Sequence, residues 1–413
     1  MLRLRPFAAL RPPPDLAREV AAVPYDVVNT AEARALAVDN PRSFLHVTRP
    51  EIDLPDGTSA YDDRVYGAAH DALEHMVAEG SLVREGEPKL YLYRQQAELA
   101  GRRVSQLGIV GCCHIGDYEE ERIKKHEITR KDKEDDRTRH VLTTRSNAGP
   151  VFLTYRPQAQ LTALSQQAIS NEPLYDFLAA DEVRHTVWSI APDVSDAIVA
   201  AFGQVDCAYV ADGHHRSASA ARAGAELRAK NPDHRGDEDY NYFLCVLFAA
   251  DQLNVLPYHR LVRDLGGRSP EEVRQALAEV GQLSDGDAEL PAQAGSFGVY
   301  LEGRWHRLTL PAASIGDDPV DSLDYVLLSE RVLGPVMGIG DIRTDPRIDF
   351  VGGIRGTGEL ERRVDSGEHA IAFSLRATSV EQLMAVADAG RIMPPKSTWF
   401  EPKLRSGLLV HTF

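Results

Sequence analysis

Hydrophobic positions recur along the chain in two patterns, one typical of helices and one typical of strands. Between about Tyr61 and Glu79, apolar residues return every three or four positions, which predicts an amphipathic helix: Val65, Ala69, Leu73 and Met76. Short apolar runs bounded by turn residues predict five strands, at 89–93, 104–114, 151–155, 205–211 and 241–250. Further helices are expected at 161–169 and 218–229. Strands interspersed with helices predict a mixed α/β core.

Turn signals and the last third of the chain complete the predicted elements. A turn around Ala100-Gly101-Arg102 is expected to join the first two strands, and the segment 253–258 is expected to form a hairpin with strand 241–250. The last third predicts a further α/β region: a helix after Pro270, strands at 297–301, 304–310 and 369–375, and a helix from a Ser379/Gln382 capping box to Ala389. We therefore predict three regions: an N-terminal region (1–87), a core (88–260) and a C-terminal α/β domain that closes a cleft (261–413).

The charge balance narrows the classes of partner. The chain has 62 acidic and 46 basic residues, a net charge of −16, and no long Lys/Arg run. It should repel phosphate backbones, so we expect no nucleic-acid partner. No apolar stretch is long enough to span a membrane, and the chain begins without a signal-peptide pattern. The four cysteines lie in apolar stretches without metal-ligand spacing, which is typical of reduced thiols. We expect a cytoplasmic protein without a membrane partner.

A run of polar, titratable residues interrupts a buried strand and the helix after it: Asp212, Gly213, His214, His215 and Arg216. Gly213 allows a tight turn, and the first amides of the helix, at its positive dipole end, suit an anionic phosphate. Arg216 can add a bidentate contact. Two alternatives stay open. Asp212 caps the helix while the histidines bond to neighbours, or these three residues bind zinc, although adjacent histidines do not readily share one tetrahedral centre.

Two further segments are dense in charged or hydroxyl side chains. The first contains five candidate residues: Lys124, His126, Glu127, Arg139 and His140. A carboxylate among cations stays ionised beside phosphate oxygens, which suits a proton acceptor, although a solvated face explains the same pattern. The second segment follows Pro394-Pro395 and contains three candidates: Lys396, Ser397 and Thr398. Their amide and hydroxyl groups can clasp a phosphate, and the alternative is a solvent-facing loop anchored by Trp399.

Together and in this order, the three segments resemble motifs of the free L-serine kinases of the ParB/sulfiredoxin superfamily. Those kinases carry Lys-Pro-His-Glu, Val-Asp-Gly-His-His-Arg and Ser-Pro-Lys-Thr-Thr, and the counterparts here are 124–127, 211–216 and 394–398. Lys125 replaces the proline of the first motif, and Trp399 stands where a histidine follows the third. The resemblance implies an α/β (α+β) fold, with a ParB/sulfiredoxin-like mixed-sheet core, an N-terminal extension and a C-terminal α/β domain forming a cleft.

The N-terminal region resembles a bacterial family known as a domain of unknown function. The resemblance lies in four short segments: Arg5-Pro6-Phe7, Pro24-Tyr25-Asp26-Val27, Asn40-Pro41 to His46-Val47, and Pro50 to Asp53. No chemistry follows from these segments. Their expected role is packing around the core, as a lid or in a homodimer.

The kinase resemblance implies phosphoryl transfer to the hydroxyl of free L-serine, giving O-phospho-L-serine. It implies Mg²⁺ as cofactor, with ATP, ADP or pyrophosphate as the phosphoryl donor. The implied catalytic residues are Glu127 as proton acceptor, Asp212 as an orienting residue or Mg²⁺ ligand, and His215. The implied phosphate-binding residues are Gly213, His214, Arg216, Lys396, Ser397 and Thr398. The additional candidates are His126, Lys124, Arg139 and His140.

Two other functions stay open at this point. The first is a ParB-like nucleotide-binding regulatory protein without amino-acid kinase activity. The second is a metal-dependent hydrolase on His126, His214 and His215, which requires a stoichiometric bound metal. Sulfiredoxin chemistry is disfavoured, because His214 stands where that branch has its reactive cysteine.

Overall fold

The computed structural model describes residues 1–99 and 101–413 and divides into two compact units. The first unit comprises Met1–Glu98, Arg102–Leu253 and Pro402–Phe413, and the second comprises Leu99–Gly101 and Asn254–Glu401. The chain passes from the first unit to the second between Leu253 and Asn254, and the predicted division into three regions stays a prediction. Residues 1–87 belong to the same unit as the predicted core, and so does the C-terminal segment from 402. Ala100, in the predicted turn, lies outside the described residues.

A mixed sheet of nine strands forms the centre of the first unit. The strands of this unit before residue 254 are β1 (Leu4–Arg5), β2 (Leu10–Arg11), β3 (Val83–Arg84), β4 (Tyr91–Leu99), β5 (Arg102–His114), β6 (Ile123–Lys124), β7 (Ser146–Asn147), β8 (Val151–Tyr155), β9 (Tyr175–Leu178), β10 (Arg184–Ser189), β11 (Ala208–Asp212) and β12 (Tyr242–Ala249). The spatial order in the sheet is β6-β11-β8-β12-β5-β4-β10-β9, with β1 paired to β5. Strands β8 and β12 consist entirely or almost entirely of buried residues, as expected for strands with both faces covered.

Nine helices belong to the described part of the first unit. They are α1 (Ala17–Val20), α2 (Thr30–Ala37), α3 (Leu45–Thr48), α4 (Asp63–Ala78), α5 (Ile115–Glu119), α6 (Lys131–Thr144), α7 (Ala159–Ala168), α8 (Pro192–Phe202) and α9 (His214–Lys230). The predicted amphipathic helix is confirmed as α4, which buries Val65, Leu73 and Met76. The polar segment that includes α6 is only partly solvated, because Asp136, Thr138 and His140 are buried.

The second unit has a six-stranded sheet and four helices among the described residues. Its elements are β13 (Asn254–Leu256), β14 (Tyr258–Val262), α10 (Pro270–Val280), β15 (Gln282–Asp285), β16 (Ser296–Leu301), β17 (Arg304–Thr309), α11 (Asp324–Leu328), β18 (Ile348–Gly352), α12 (Gly358–Asp365), β19 (Ile371–Ser374), α13 (Val380–Asp388) and β20 (Trp399–Glu401). The sheet order is β15-β17-β16-β19-β14-β18. The predicted capping box is confirmed, since Ser379 accepts the Gln382 amide at the start of α13. The chain ends in the first unit with β21 (His411–Thr412), which pairs with β7.

The predicted hairpin between 241–250 and 253–258 is wrong. Strand β13 pairs with β20 instead of β12. The reason lies in the sheet, because β12 already has β5 on one side and β8 on the other, so neither edge can accept a hairpin partner. The short 3₁₀ turn Ala250–Gln252 ends the strand.

Within the described residues, we find no helix whose length and apolar character would let it cross a membrane. The four cysteines are free thiols, as predicted, and three of them are buried: Cys112, Cys113 and Cys245.

Three buried histidines of the first unit predict a loss of stability in mildly acidic solution. Burial lowers the pKa of His140 to about 4 and the pKa values of His185 and His411 to about 3. In the unfolded chain each returns to about 6.5. The unfolded state therefore takes up protons first, so the stability from these groups is complete above about pH 6.5 and falls as the pH drops toward about 4. We expect the thermal unfolding midpoint to be level from about pH 7 to 9 and to fall through that window. A level midpoint in circular dichroism melts across the same window would contradict this expectation.

Candidate active site

Two parallel strands end side by side at one edge of the first unit's sheet. Strand β6 runs parallel to β11, with Ile123 beside Ala208. Glu127 lies four residues beyond Ile123, and Asp212 lies four residues beyond Ala208. The two segments therefore leave the strands next to each other, and the His214 Nδ1, two residues after Asp212, lies 3.9 Å from the Glu127 Oε2. This is the reason that residues 85 positions apart in sequence meet in one site.

Gly213 makes the turn from β11 into α9. Its φ of 93° lies in the left-handed region, which glycine adopts without steric cost. A Cβ at this position would lie 3.2 Å from the Nε of Arg216. The amides of the first turn of α9 have no partner within the helix, and the helix dipole adds positive potential at the same point. The turn therefore has the geometry of an anion-binding helix start.

The side chains of three residues that follow the two strand ends form a cluster at this edge: His126, Glu127 and His214. The His214 Nδ1 lies 3.9 Å from the Glu127 Oε2, and the rings of the two histidines are 4.5 Å apart at nearly a right angle. Both histidines are buried, while the Glu127 side chain is 41% exposed. Burial lowers the pKa of His126 to about 4 and holds the pKa of His214 well below its usual value, with His126 adding to the second effect. Both imidazoles are therefore neutral at pH 7.

Asp212 lies at the centre of a network of charges beside this cluster. Its Oδ1 accepts the Gly213 amide at 2.9 Å, and its Oδ2 accepts the Lys403 ammonium at 3.1 Å. Burial alone would raise the pKa of Asp212, but the cations of Lys403 and Arg216 outweigh it and hold the pKa well below its usual range. Asp212 is therefore a carboxylate at neutral pH.

Arg216 faces the interior of the first unit more than the solvent. It donates from Nη1 to the Pro150 carbonyl at 2.5 Å and from Nη2 to the Asp26 carboxylate at 3.3 Å. Its Nε is buried and finds no hydrogen-bond partner in the described part of the chain. Since a Cβ at Gly213 would approach this Nε, the unpaired N–H lies next to the loop. Arg216 thus supports the loop and keeps one donor beside it.

The remaining candidates of the first unit lie around the cluster rather than in it. The His215 Nε2 accepts the Arg130 amide at 3.2 Å, which ties α9 to the start of α6. The Lys124 ammonium lies over the Tyr209 ring at 6.0 Å. Two candidates on α6 contact the N-terminal helices: Arg139 pairs with Asp63 at 2.7 Å, and His140 donates from Nε2 to the Val47 carbonyl at 2.8 Å. Arg139 and His140 therefore hold α6 in place.

The match to a protein family covers most of the chain. The family model described as "Protein of unknown function (DUF1015)" matches residues 4–326. The chain belongs to the DUF1015 family. This membership confirms the resemblance seen in the N-terminal segments and extends it across the core. No curated protein matched this DUF1015 chain.

Among solved structures, this DUF1015 protein is similar to a free serine kinase in complex with AMP, at 14% identity and a TM-score of 0.35 over 70% of this chain and 89% of that chain. It is similar to SbnI with C-terminal truncation from Staphylococcus aureus, at 12% identity and a TM-score of 0.38 over 73% and 87%. A conserved hypothetical protein from Pyrococcus furiosus matches at 15% identity and a TM-score of 0.34 over 70% and 91%. The free serine kinases that the motifs resemble are thus among the structures found. At such low TM-scores, function has to be argued from the residues of the DUF1015 chain itself.

In the second unit of this DUF1015 protein, the predicted phosphate loop has a well-defined conformation. Lys396 has a φ of 62°, and its carbonyl accepts a hydrogen bond from Arg260 at 3.1 Å. The Ser397 hydroxyl donates to the Pro394 carbonyl at 2.5 Å, and the Ser397 carbonyl accepts from Thr378. The side chain of Ser397 is therefore engaged within its own loop. Phosphate binding by Lys396, Ser397 and Thr398 stays a prediction.

Two residues of the DUF1015 site did not emerge from the sequence. Lys403 neutralises Asp212 from the C-terminal segment, 191 positions away, and no local pattern marks it. Asp26 pairs with Arg216 across 190 positions. A signal for Asp26 was present, because it lies in the Pro24-Tyr25-Asp26-Val27 segment that resembles the family. The N-terminal region therefore contributes to the support of the site.

Replacing Lys403 tests the network around Asp212 in this DUF1015 protein. Lys403→Met removes the cation 3.1 Å from the half-buried Asp212 carboxylate, whereas Lys403→Arg retains the charge. We expect Lys403→Met to lower the free energy of unfolding by about 1.5 kcal/mol, since one charge-assisted hydrogen bond is worth about that much, and Lys403→Arg to restore most of it. Denaturant unfolding measures the effect. An unchanged free energy of unfolding in Lys403→Met would show that the contact with Asp212 does not stabilise the loop.

Proposed function

We propose that this protein is a small-molecule kinase that transfers a phosphoryl group from ATP, ADP or pyrophosphate to the hydroxyl of free L-serine. One observation supports the proposal above the others. The partly exposed Glu127 carboxylate lies beside His214, in the first turn of α9, where the helix amides suit an anion. A proton acceptor and a phosphate cradle at the same edge of a sheet are the two parts that phosphoryl transfer to an alcohol needs.

In this proposal, the protein positions the two reactants and neutralises charge. Glu127 accepts the proton of the serine hydroxyl as the hydroxyl oxygen attacks the terminal phosphorus of the donor. The bond from that phosphorus to its bridging oxygen breaks, and the leaving phosphate or nucleotide keeps the electron pair. The amides of the first turn of α9 and the free Nε–H of Arg216 hold the donor phosphates. Neutral His214 can donate or accept one hydrogen bond beside Glu127.

Mg²⁺ would neutralise the donor phosphates, and Asp212 is its predicted ligand. The carboxylate of Asp212 has about four lone-pair sites, of which the Gly213 amide and the Lys403 ammonium use one each. The remaining lone pairs fit a Mg²⁺ ion directly or through a water. Asp212 is therefore compatible with the ion without loss of its two contacts.

The decisive experiment is a screen of donors and acceptors. The purified protein is incubated with Mg²⁺, L-serine and ATP, ADP or pyrophosphate in turn, and O-phospho-L-serine is measured by mass spectrometry. L-Threonine and other hydroxylated acceptors run in parallel and test the specificity for serine. Product with L-serine and at least one donor supports the kinase. Nucleotide binding or hydrolysis without phosphoserine would favour the ParB-like regulatory protein and overturn the proposal.

A further inference from the structure

The cluster of His126, Glu127 and His214 has a property that phosphoryl transfer does not use. One donor atom from each side chain lies within 4.8 Å of the donor atoms of the other two. Ligands of one transition-metal ion are about 3 to 3.5 Å apart, because each lies about 2.0 to 2.2 Å from the ion. Modest side-chain rotations would therefore bring all three around a single ion.

Both imidazoles of the cluster are buried, and each has one ring nitrogen without a hydrogen-bond partner in the described part of the chain. The side chains of His126 and His214 are 2% and 5% exposed. The Nδ1 of His126 and the Nε2 of His214 have no hydrogen-bond partner among the described residues. Leaving buried polar atoms without a partner costs about 1–3 kcal/mol each, so a bound ligand at this position would relieve a real cost.

The backbone fixes the orientation of one of these imidazoles. His126 hydrogen-bonds to the Val210 carbonyl. Because its Nδ1 has no partner, the bond comes from Nε2–H, and the lone pair of Nδ1 is left facing away from Val210. A histidine that donates one ring N–H to a backbone carbonyl and offers the other nitrogen is the usual arrangement of a metal ligand.

The third histidine of the region does not fit the set. The His215 Nε2 already accepts the Arg130 amide at 3.2 Å. Glu127 takes its place with a carboxylate that is partly exposed, which leaves one side of the cluster open to solvent. Three protein ligands with an open position are typical of sites that exchange a water or a substrate, whereas structural zinc sites are closed by four.

We propose that His126, Glu127 and His214 bind one divalent transition-metal ion of the zinc, cobalt or manganese class. Two imidazoles and one carboxylate select such ions over Mg²⁺, which prefers oxygen ligands only. The site is therefore distinct from the Mg²⁺ that accompanies a phosphoryl donor. An ion in this position would engage the carboxylate of Glu127, so metal binding and proton acceptance by Glu127 would exclude each other. Only this last consequence rests on the proposed kinase function.

Co²⁺ is the probe for the test, because its visible absorption reports both binding and coordination by nitrogen ligands. The full chain is treated with chelator, freed of it, and titrated with Co²⁺. We expect one equivalent to bind, with the absorption of a low-coordinate Co²⁺ ion, and Zn²⁺ to displace it. Glu127→Gln and His214→Asn should weaken binding at least about 100-fold. His215→Asn is the matched control, since it removes the adjacent imidazole on the same helix turn, and it should bind Co²⁺ like the wild type.

Circular dichroism melts confirm that each variant is folded. Glu127→Gln keeps the test decisive if a buried histidine variant fails to fold, because the Glu127 side chain is partly exposed. The proposal is overturned if the wild type binds no stoichiometric Co²⁺, if Glu127→Gln binds as tightly as the wild type, or if His215→Asn loses binding to the same extent. None of these readouts depends on turnover, so a protein without kinase activity still tests the metal site.

Discussion

Glu127→Gln is expected to lower the turnover number for phosphoserine formation by a factor of about 10² to 10⁴, the contribution typical of a positioned acid or base. The amide retains the size of the carboxylate but cannot accept the proton of the serine hydroxyl. Affinity for the phosphoryl donor should change little, because in the proposed mechanism the start of α9 holds the phosphates. Steady-state kinetics with saturating donor and a separate donor titration distinguish these two effects.

The matched control for this variant is Glu120→Gln. Glu120 is an exposed glutamate seven positions earlier in the same segment and forms an ion pair with Arg122 at 2.6 Å. It should retain full activity, and both variants should melt near the wild-type temperature, since neither carboxylate is buried. If Glu127→Gln retains activity within about tenfold of the wild type, Glu127 is not the proton acceptor.

The strands and helices of the core could be predicted because their apolar pattern is local. Strand β8 and helix α4 lie within two residues of the predicted limits. The pairing of strands could not be predicted in the same way. The segment after β12 was expected to form a hairpin with it, but both edges of β12 are occupied by strands distant in sequence. Sheet order depends on which edges remain open, and local composition carries no information about that.

In the candidate site, too, local sequence motifs could be predicted and contacts between distant residues could not. The resemblance in sequence motifs marked Glu127 and the loop from Asp212 to Arg216, and the parallel pairing of β6 and β11 brings both to one edge of the sheet. The sequence did not predict which partners the individual side chains contact. Arg216 was expected to make a bidentate contact with a phosphate, and in the structure two of its nitrogens bond to Pro150 and Asp26. Long-range partners of this kind, Lys403 among them, become visible only in the folded chain.

Gly213→Ala is expected to reduce both turnover and binding of the phosphoryl donor, by about 100-fold in kcat/KM. The reason is that it disturbs several backbone N–H groups at the start of α9 at once. The φ of 93° costs an L-residue about 1–2 kcal/mol, so the variant should also be less stable by about that amount. The added Cβ would in addition lie 3.2 Å from the Nε of Arg216, which has no hydrogen-bond partner among the described residues.

Gly236→Ala separates strain from function, because Gly236 has nearly the same φ, 96°, and nothing within 4 Å of the position of a new Cβ. It should lose a similar amount of stability and retain full donor affinity. Denaturant unfolding gives the free energy of unfolding for both variants, and calorimetric titration gives the donor affinity. If Gly213→Ala and Gly236→Ala lose stability equally and both bind donor normally, the turn at Gly213 serves the fold alone. A loss of affinity confined to Gly213→Ala would support binding of the phosphoryl donor at the start of α9, because both glycines have a similar positive φ and only Gly213 lies next to Arg216 and the first amides of the helix.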